Sequence, residues 1–323
     1  MKDKMNLGLL LLAISLASCF GVASCKTDKS SGTSSVNAAN QPQAQPQANL
    51  EKQRQDAQQQ ARPEVENQRK SMQEEADKTL DQDALAAISQ TKKAIDQIAA
   101  GKTDEALSAI EQAIGKINVL LARNPATAFI PVSAEVDVID IAPHDTKAIR
   151  TIAQEATART EVKDFPAARV LLYSLTSEIR SRTYNLPLAT YPDALKEDAR
   201  LLDQKKTQDA SNVLLAALNT LVVVDKVTPL PLVLAEEAVR TAKEQSQKDK
   251  TLAQALVQTA KREIERSKEL GYAAKAPEYE ALNTDISNLE KQLKNNGDSN
   301  SVFAKLEDKL SAFRKRQSQQ ERR

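Results

Sequence analysis

The sequence has no tryptophan, only seven glycines, one histidine and two cysteines among its 323 residues. Aromatic residues make up only 3% of it, which argues against ring-stacking platforms for nucleic acids. The scarcity of glycine argues against the glycine-rich loops that cradle phosphates. Both cysteines, Cys19 and Cys25, lie near the start, and the one histidine is His144. This distribution excludes His/Cys metal clusters and Cys–His catalysis, so we expect no metal and no cofactor.

Charge and length limit the choice further. The formal net charge is +1, from 45 basic and 44 acidic side chains, so no basic field would attract a nucleic acid. Acid would neutralise the carboxylates while the bases stay charged, and we expect it to loosen the fold. The length allows one or two domains, and a hydrophobic content of 41% is enough for at least part of the chain to fold.

The first 24 residues are typical of a lipoprotein signal peptide. A short apolar stretch follows Lys2 and Lys4, and two cysteines, Cys19 and Cys25, each end a sequence of an aliphatic and two small residues. The polar residues after Cys25 slightly favour it as the site of lipid attachment. An ordinary secretory signal cut near Ser24 is the alternative. We therefore expect a lipid-anchored protein on the periplasmic side of a bacterial membrane, or else a protein secreted to the periplasm.

Two polar segments follow the signal. Residues 25–49 are rich in Ser, Gln and Pro and indicate a flexible tether. Residues 50–83 contain good helix formers but few large aliphatic residues, and Pro63 interrupts them. They predict a polar segment, partly helical or disordered, that adds nothing to the core. A fragment beginning at Ala84 is therefore expected to fold as well as the longer chain.

Residues 84–313 carry the hydrophobic spacing of helices. Leu107, Ile110, Ile114, Ile117 and Leu121 step by three and four residues, which is the spacing of an amphipathic helix. Similar stripes recur in pairs, which predicts three antiparallel helical hairpins in tandem, with further helices up to Phe313. In the second hairpin, Asp145 is expected to cap the first helix, and the partner helix is expected to carry apolar residues as far as Ile179. A basic, disordered tail is expected over 314–323.

Two short segments have a different period. Residues 132–138 alternate between apolar and polar, and residues 220–227 are β-branched, so each predicts a strand. The two could pair as a small ribbon. Residues 183–192 are predicted to be an apolar loop packed against the domain. The fold class expected is therefore all-α, a compact bundle of antiparallel helical hairpins with at most a small two-stranded β-ribbon.

Three apolar, proline-bearing segments stand out from ordinary helical sequence. They are PATAFIPVSAEVDV at 125–138, SEIRSRTYNLPLATYP at 177–192 and ALNTLVVVDKVTPLPL at 217–232. Together they resemble the YfdX family of bacterial envelope proteins, over roughly residues 84–294. The resemblance implies an exported, mainly α-helical, stress-linked protein for which chaperone-like or small-molecule-binding roles have been suggested. It brings no catalytic residue to carry over.

The candidate site residues are few. His144 with Asp145 could serve as a general base, but a surface histidine beside a helix cap is the simpler interpretation. Glu135, Asp137 and Asp140 could bind a cation, although a solvated strand face is the more common case. Tyr184, Asn185 and Tyr191 could line a ligand groove. The alternative for them is that the tyrosine rings are buried and the hydroxyls hold the loop in place.

No set of nucleophile, base and acid is visible, so we expect a protein that is not an enzyme. The favoured hypothesis is an envelope-tethered binding or holdase-like stress protein. Its partners would be unfolded or envelope proteins or small hydrophobic ligands, with the membrane engaged only through an N-terminal lipid. The alternative is a structural protein of the envelope that binds a specific protein partner or the cell wall.

Overall fold

The computed structural model describes residues 45–273, 275–295, 299–319 and 321–322. None of the helices in these ranges is both long enough and apolar enough to cross a membrane. The helices are α1 Gln45–Lys78, α2 Gln82–Ala99, α3 Thr103–Arg123, α4 Thr146–Glu161, α5 Phe165–Tyr173, α6 Tyr191–Asp203, α7 Thr207–Leu218, α8 Leu230–Gln245, α9 Lys250–Glu269, α10 Glu278–Lys294 and α11 Asn300–Ser318. The strands are β1 Phe129–Asp140, β2 Ser177–Pro187, β3 Val222–Pro229 and β4 Glu321–Arg322.

The first and third predicted hairpins are confirmed, and they pack together. Asp81 caps α2 by accepting hydrogen bonds from two backbone amides, and Gly101 adopts a φ of 71° in the turn to α3. The α6–α7 pair buries its stripe of Leu195, Leu202 and Leu214 in the same core as α2 and α3. The spacing by three and four residues therefore predicted both the helices and the faces that they bury.

The second hairpin is confirmed in its first helix and corrected in its second. Asp145 caps α4, with its carboxylate accepting hydrogen bonds from the amides of Lys147 and Ala148. The partner helix α5 ends at Tyr173, so the expectation that helical structure reaches Ile179 is wrong. From Ser177 the chain is extended, because it pairs with strands on both sides.

A four-stranded antiparallel sheet in the order β1-β2-β3-β4 replaces the predicted ribbon. Both predicted strands exist as β1 and β3, but they do not pair with each other. The central strand is β2, which the sequence analysis divided between a helix and a loop. Val136 faces Ser181 across one ladder, and Ser181 faces Lys226 across the other. The fold is thus mostly α-helical, with a small sheet.

The last four helices surround a core of their own. Leu282, Ile286 and Leu289 of α10 pack there with Phe303 and Leu310 of α11. The rings of Tyr279 and Phe313 pack edge to face, with centroids 5.0 Å apart. The expectation of a disordered tail from 314 is wrong for the residues described, because α11 continues to Ser318 and residues 321–322 pair with β3.

The segment before Ala84 contributes to the core, contrary to expectation. Helix α1 runs through Pro63 to Lys78, and Ala76 is buried. Val65 and Met72 pack against a small cluster formed by the sheet and α8. These contacts are long-range, so the polar composition of the segment did not reveal them.

Candidate binding surfaces

A cavity of about 1040 Å³ lies between α1, one face of the sheet and the end of α11. It is at the upper end of the range for small-molecule sites. Its lining consists of Gln68, Ser71, Met72, Glu75, Ala76, Thr79, Phe129, Pro131, Ser181, Thr183, Asn185, Val224, Lys226, Thr228, Arg314, Lys315, Ser318 and Gln319. Most of these side chains carry a polar group, so the cavity suits a ligand that forms hydrogen bonds.

Within the sheet, strand β2 contributes three polar side chains to the lining. Successive residues of a strand alternate between its two faces, and Ile179 at one end of this face packs in an apolar cluster. The next positions on the same face are Ser181, Thr183 and Asn185, and all three line the cavity. The amide nitrogen of Asn185 donates to Thr183 and to the carbonyl oxygen of Val222. These two hydrogen bonds fix the orientation of the Asn185 side chain at the cavity.

The three residues predicted to line a groove are separated. Asn185 lines the cavity, whereas Tyr184 points to the opposite face of the sheet and packs partly against the helical core. Tyr191 is buried at the start of α6, where its hydroxyl donates a hydrogen bond of 2.8 Å to Thr91. Burial raises the pKa of Tyr191 to about 12. Tyr191 therefore holds the start of α6 in place. This agrees with the alternative given above, in which the tyrosine ring is buried.

The acidic residues weighed as a cation site are also separated. Glu135 and Asp137 lie opposite Arg182 and Arg180 on one face of the sheet. Asp140 points to the other face, where it accepts hydrogen bonds from Ser177 and Arg266. No group of three or more His, Cys, Asp or Glu residues suited to a metal occurs among the residues that the structure describes.

The remaining predicted residues give no site in the described ranges. His144 is exposed in the short linker between β1 and α4, next to the capping residue Asp145. The two candidates for lipid attachment, Cys19 and Cys25, lie outside the described residues. Their role stays a prediction.

The α4–α5 hairpin presents an apolar surface that the sequence analysis missed. Val162, Phe165, Val170, Leu172 and Tyr173 are each between 56% and 72% exposed. We call these five residues the hairpin patch. The signal was present in the sequence, because Val170 to Tyr173 are four consecutive large apolar residues. Consecutive helical residues point about 100° apart, so one buried face cannot take all four.

One buried carboxylate stands apart from both surfaces. Asp198 of α6 is fully buried, on the same helical face as Leu195 and Leu202. Neither of its oxygens has a hydrogen-bond partner among the described residues. Burial raises the pKa of Asp198 to about 7, because ionisation within an apolar core is unfavourable.

Comparison with known proteins bears on residues 87–227, which match the model of the YfdX protein family. This range runs from α2 to β3 and covers somewhat less than half of the chain. A solved structure of YfdX from Salmonella Typhi is 16% identical in sequence, over 47% of this chain and 93% of that one, with a TM-score of 0.32. No curated protein matches the chain. The resemblance to the YfdX family is therefore confirmed over residues 87–227.

Proposed function

We propose that this protein is not an enzyme but a holdase-like protein of the bacterial envelope that binds partly unfolded polypeptides. The hairpin patch carries the proposal. Monomeric proteins seldom expose so many large apolar side chains on one small element, and such patches mark interaction sites. An unfolding protein exposes apolar segments of its own, and burying the two surfaces together removes both from water.

The hairpin suits this role because it holds together without the patch. Ile149, Ala156 and Ala168 are its buried apolar residues, and Asp145 and Asp164 cap its two helices. The five residues of the patch, each more than half exposed, are therefore available to a partner. The N-terminal signal and tether predicted from the sequence would keep the protein on the periplasmic side of a membrane. The partly unfolded polypeptides that it binds there under stress are called its clients below.

The experiment follows the aggregation of reduced lysozyme by light scattering. The variant Val170→Ser/Leu172→Ser should suppress aggregation several-fold less than the unchanged protein does. The matched control is Val119→Ser/Leu215→Ser, which alters two exposed apolar residues on α3 and α7. Equal activity of the two variants would contradict a role for the patch. A single stoichiometric partner recovered from envelope extract would instead favour the alternative of a structural protein.

A second candidate function is the binding of a small molecule in the cavity, supported by the position of Ser181, Thr183 and Asn185. Native mass spectrometry of protein purified from envelope extract should show a bound mass that Asn185→Leu removes. Asn212→Leu, on the exposed face of α7, is the matched control. A bound mass unaffected by Asn185→Leu would contradict binding in this cavity.

A further inference from the structure

Strand β1 lies at one edge of the sheet, so half of its backbone groups face away from β2. Helix α1 covers part of this edge with side chains instead of a strand. The amide oxygen of Gln73 accepts a hydrogen bond of 2.9 Å from the N–H of Val136. The amide nitrogen of Gln73 donates one of 3.2 Å to the carbonyl oxygen of Ala134. Its side-chain amide thus takes the place that the peptide group of a neighbouring strand would occupy.

The cover is short and mainly polar. Besides Gln73, the guanidinium of Arg69 donates to the carbonyl oxygen of Val136 over 3.4 Å. The apolar contacts of α1 with the sheet region come mainly from Val65, Met72 and Ala76. The helix lies outside the segment that matches the family, whereas β1 lies inside it. Helix α1, from outside the matched segment, therefore covers an edge that lies inside it.

The edge continues beyond the cover toward the start of α4. Because backbone groups alternate along a strand, the N–H of Val138 points the same way as that of Val136. Val138 and Ile141 are both exposed. Helix α4 begins only a few residues later, at Thr146. An extended chain lying along this edge would thus leave it close to the base of the α4–α5 hairpin.

We propose that the outer edge of β1, over residues 134–140, binds an extended segment of the client polypeptide as an added strand, and that α1 occupies the edge until the client displaces it. Strand addition recognises backbone groups, which every client has, so it needs no particular sequence. The occupant is extended polypeptide, because the edge offers alternating N–H and C=O groups where Gln73 now binds. This inference rests on the proposed function, and it adds the place and the manner in which the client chain is held.

The test measures binding of a fluorescent ten-residue peptide of alternating Val and Thr by anisotropy. Gln73→Ala removes two hydrogen bonds that hold α1 on the edge, so the peptide should bind about tenfold more tightly. Glu74→Ala, an exposed position on the same helix, should leave the affinity unchanged. The same peptide with an N-methyl group on every residue should lose its binding, because neither of its edges can then donate a hydrogen bond to β1.

A second measurement needs no variant. Amide hydrogen exchange of the unchanged protein should show slower exchange at Val138 when the peptide is bound. If Gln73→Ala and Glu74→Ala bind the peptide equally and Val138 gains no protection, the proposal is wrong. Dimerisation of Gln73→Ala without peptide would also overturn it, by identifying a second copy as the occupant. The variant Val170→Ser/Leu172→Ser distinguishes the two surfaces. If it no longer protects lysozyme but binds the peptide as before, the edge of β1 binds independently of the hairpin patch.

Discussion

Arg266 of α9 donates a hydrogen bond of 2.8 Å to the carboxylate of Asp140 at the end of β1. The Arg266 side chain is only 1% exposed, and it also donates to the carbonyl oxygens of Ala142 and Pro143. Close by, the Tyr272 hydroxyl donates to the buried carboxylate of Glu178 on β2. These contacts join the last four helices to the sheet, although the family match ends at Val227.

Replacing Arg266 should therefore destabilise the whole fold. Arg266→Met leaves the carboxylates of Asp140 and Glu263 without their shared partner, and we expect a loss of about 3–5 kcal/mol in the free energy of unfolding. The control is Arg200→Met, which removes an exposed ion pair with Glu197 and should cost below about 1 kcal/mol. Urea denaturation of both variants measures the difference. Similar losses of unfolding free energy in the two variants would show that the contacts of Arg266 do not link the last four helices to the sheet.

The buried Asp198 should make stability depend on pH. Its folded pKa of about 7 lies above the unfolded value of about 4, so the folded state binds the extra proton. The contribution of Asp198 to the free energy of unfolding is most favourable below pH 4 and is lost as the pH rises toward 7. Between pH 5 and pH 8 the lost free energy is about 3 kcal/mol. Asp198→Asn should remove this part of the pH dependence, as measured by urea denaturation at both pH values.

The matched control for Asp198 lies on the same helix. Asp193 forms an exposed ion pair with Lys196, and Asp193→Asn should leave the pH dependence unchanged. If Asp198→Asn behaves in the same way, the carboxylate is not protonated in the folded protein. The direction of this pH dependence also bears on the loosening expected in acid. Protonation of Asp198 at low pH favours the folded state. Any loosening must come from the other carboxylates.

Removing α1 should lower stability. A fragment beginning at Ala84 loses the contacts of Val65, Met72 and Ala76, each of which is partly or wholly buried. Partial burial of this kind contributes about 2–3 kcal/mol, so the midpoint of thermal unfolding should fall by at least about 4 °C. A fragment beginning at Arg62 keeps these contacts and should unfold close to the unshortened chain. Equal midpoints for the two fragments would restore the expectation drawn from the sequence.

Lipid attachment is tested by labelling cells with radioactive palmitate. We expect the label to enter the protein and to be lost when Cys19 and Cys25 are both replaced by serine. The single variant Cys25→Ser should lose the label and Cys19→Ser should retain it, since polar residues directly follow Cys25. Labelling that survives in the double variant would contradict a lipid anchor.

The sequence predicted the parts of this fold that depend on neighbouring residues. The stripe of Ile110, Ile114 and Ile117 and the cap at Asp145 are local patterns, and both are confirmed. Strand β2 was missed because its Arg182 binds Asp225, 43 residues away, in a pairing that no local period reveals. The packing of α1 was missed for the same reason, since Gln73 and Val136 are 63 residues apart.

The predictions of site residues were also right in part and wrong in part. Asn185 was identified as a polar residue in an apolar segment, and it lines the cavity. Tyr191 has the same sequence signal but lies in the helical core, because the chain turns from β2 into α6 between the two. The hairpin patch was not predicted, although Val170 to Tyr173 are four consecutive large apolar residues in a helix of only nine.

The most direct test of client binding is site-specific photo-crosslinking on the α4–α5 hairpin. A photoreactive amino acid is placed at Leu172 of the patch or, as a control, at Leu215 of α7, and the protein is illuminated during the aggregation of reduced lysozyme. We predict a crosslinked product of the two chains from position 172 and several-fold less from position 215. Equal yields from the two positions, or no product from position 172 while aggregation is still suppressed, would contradict the account.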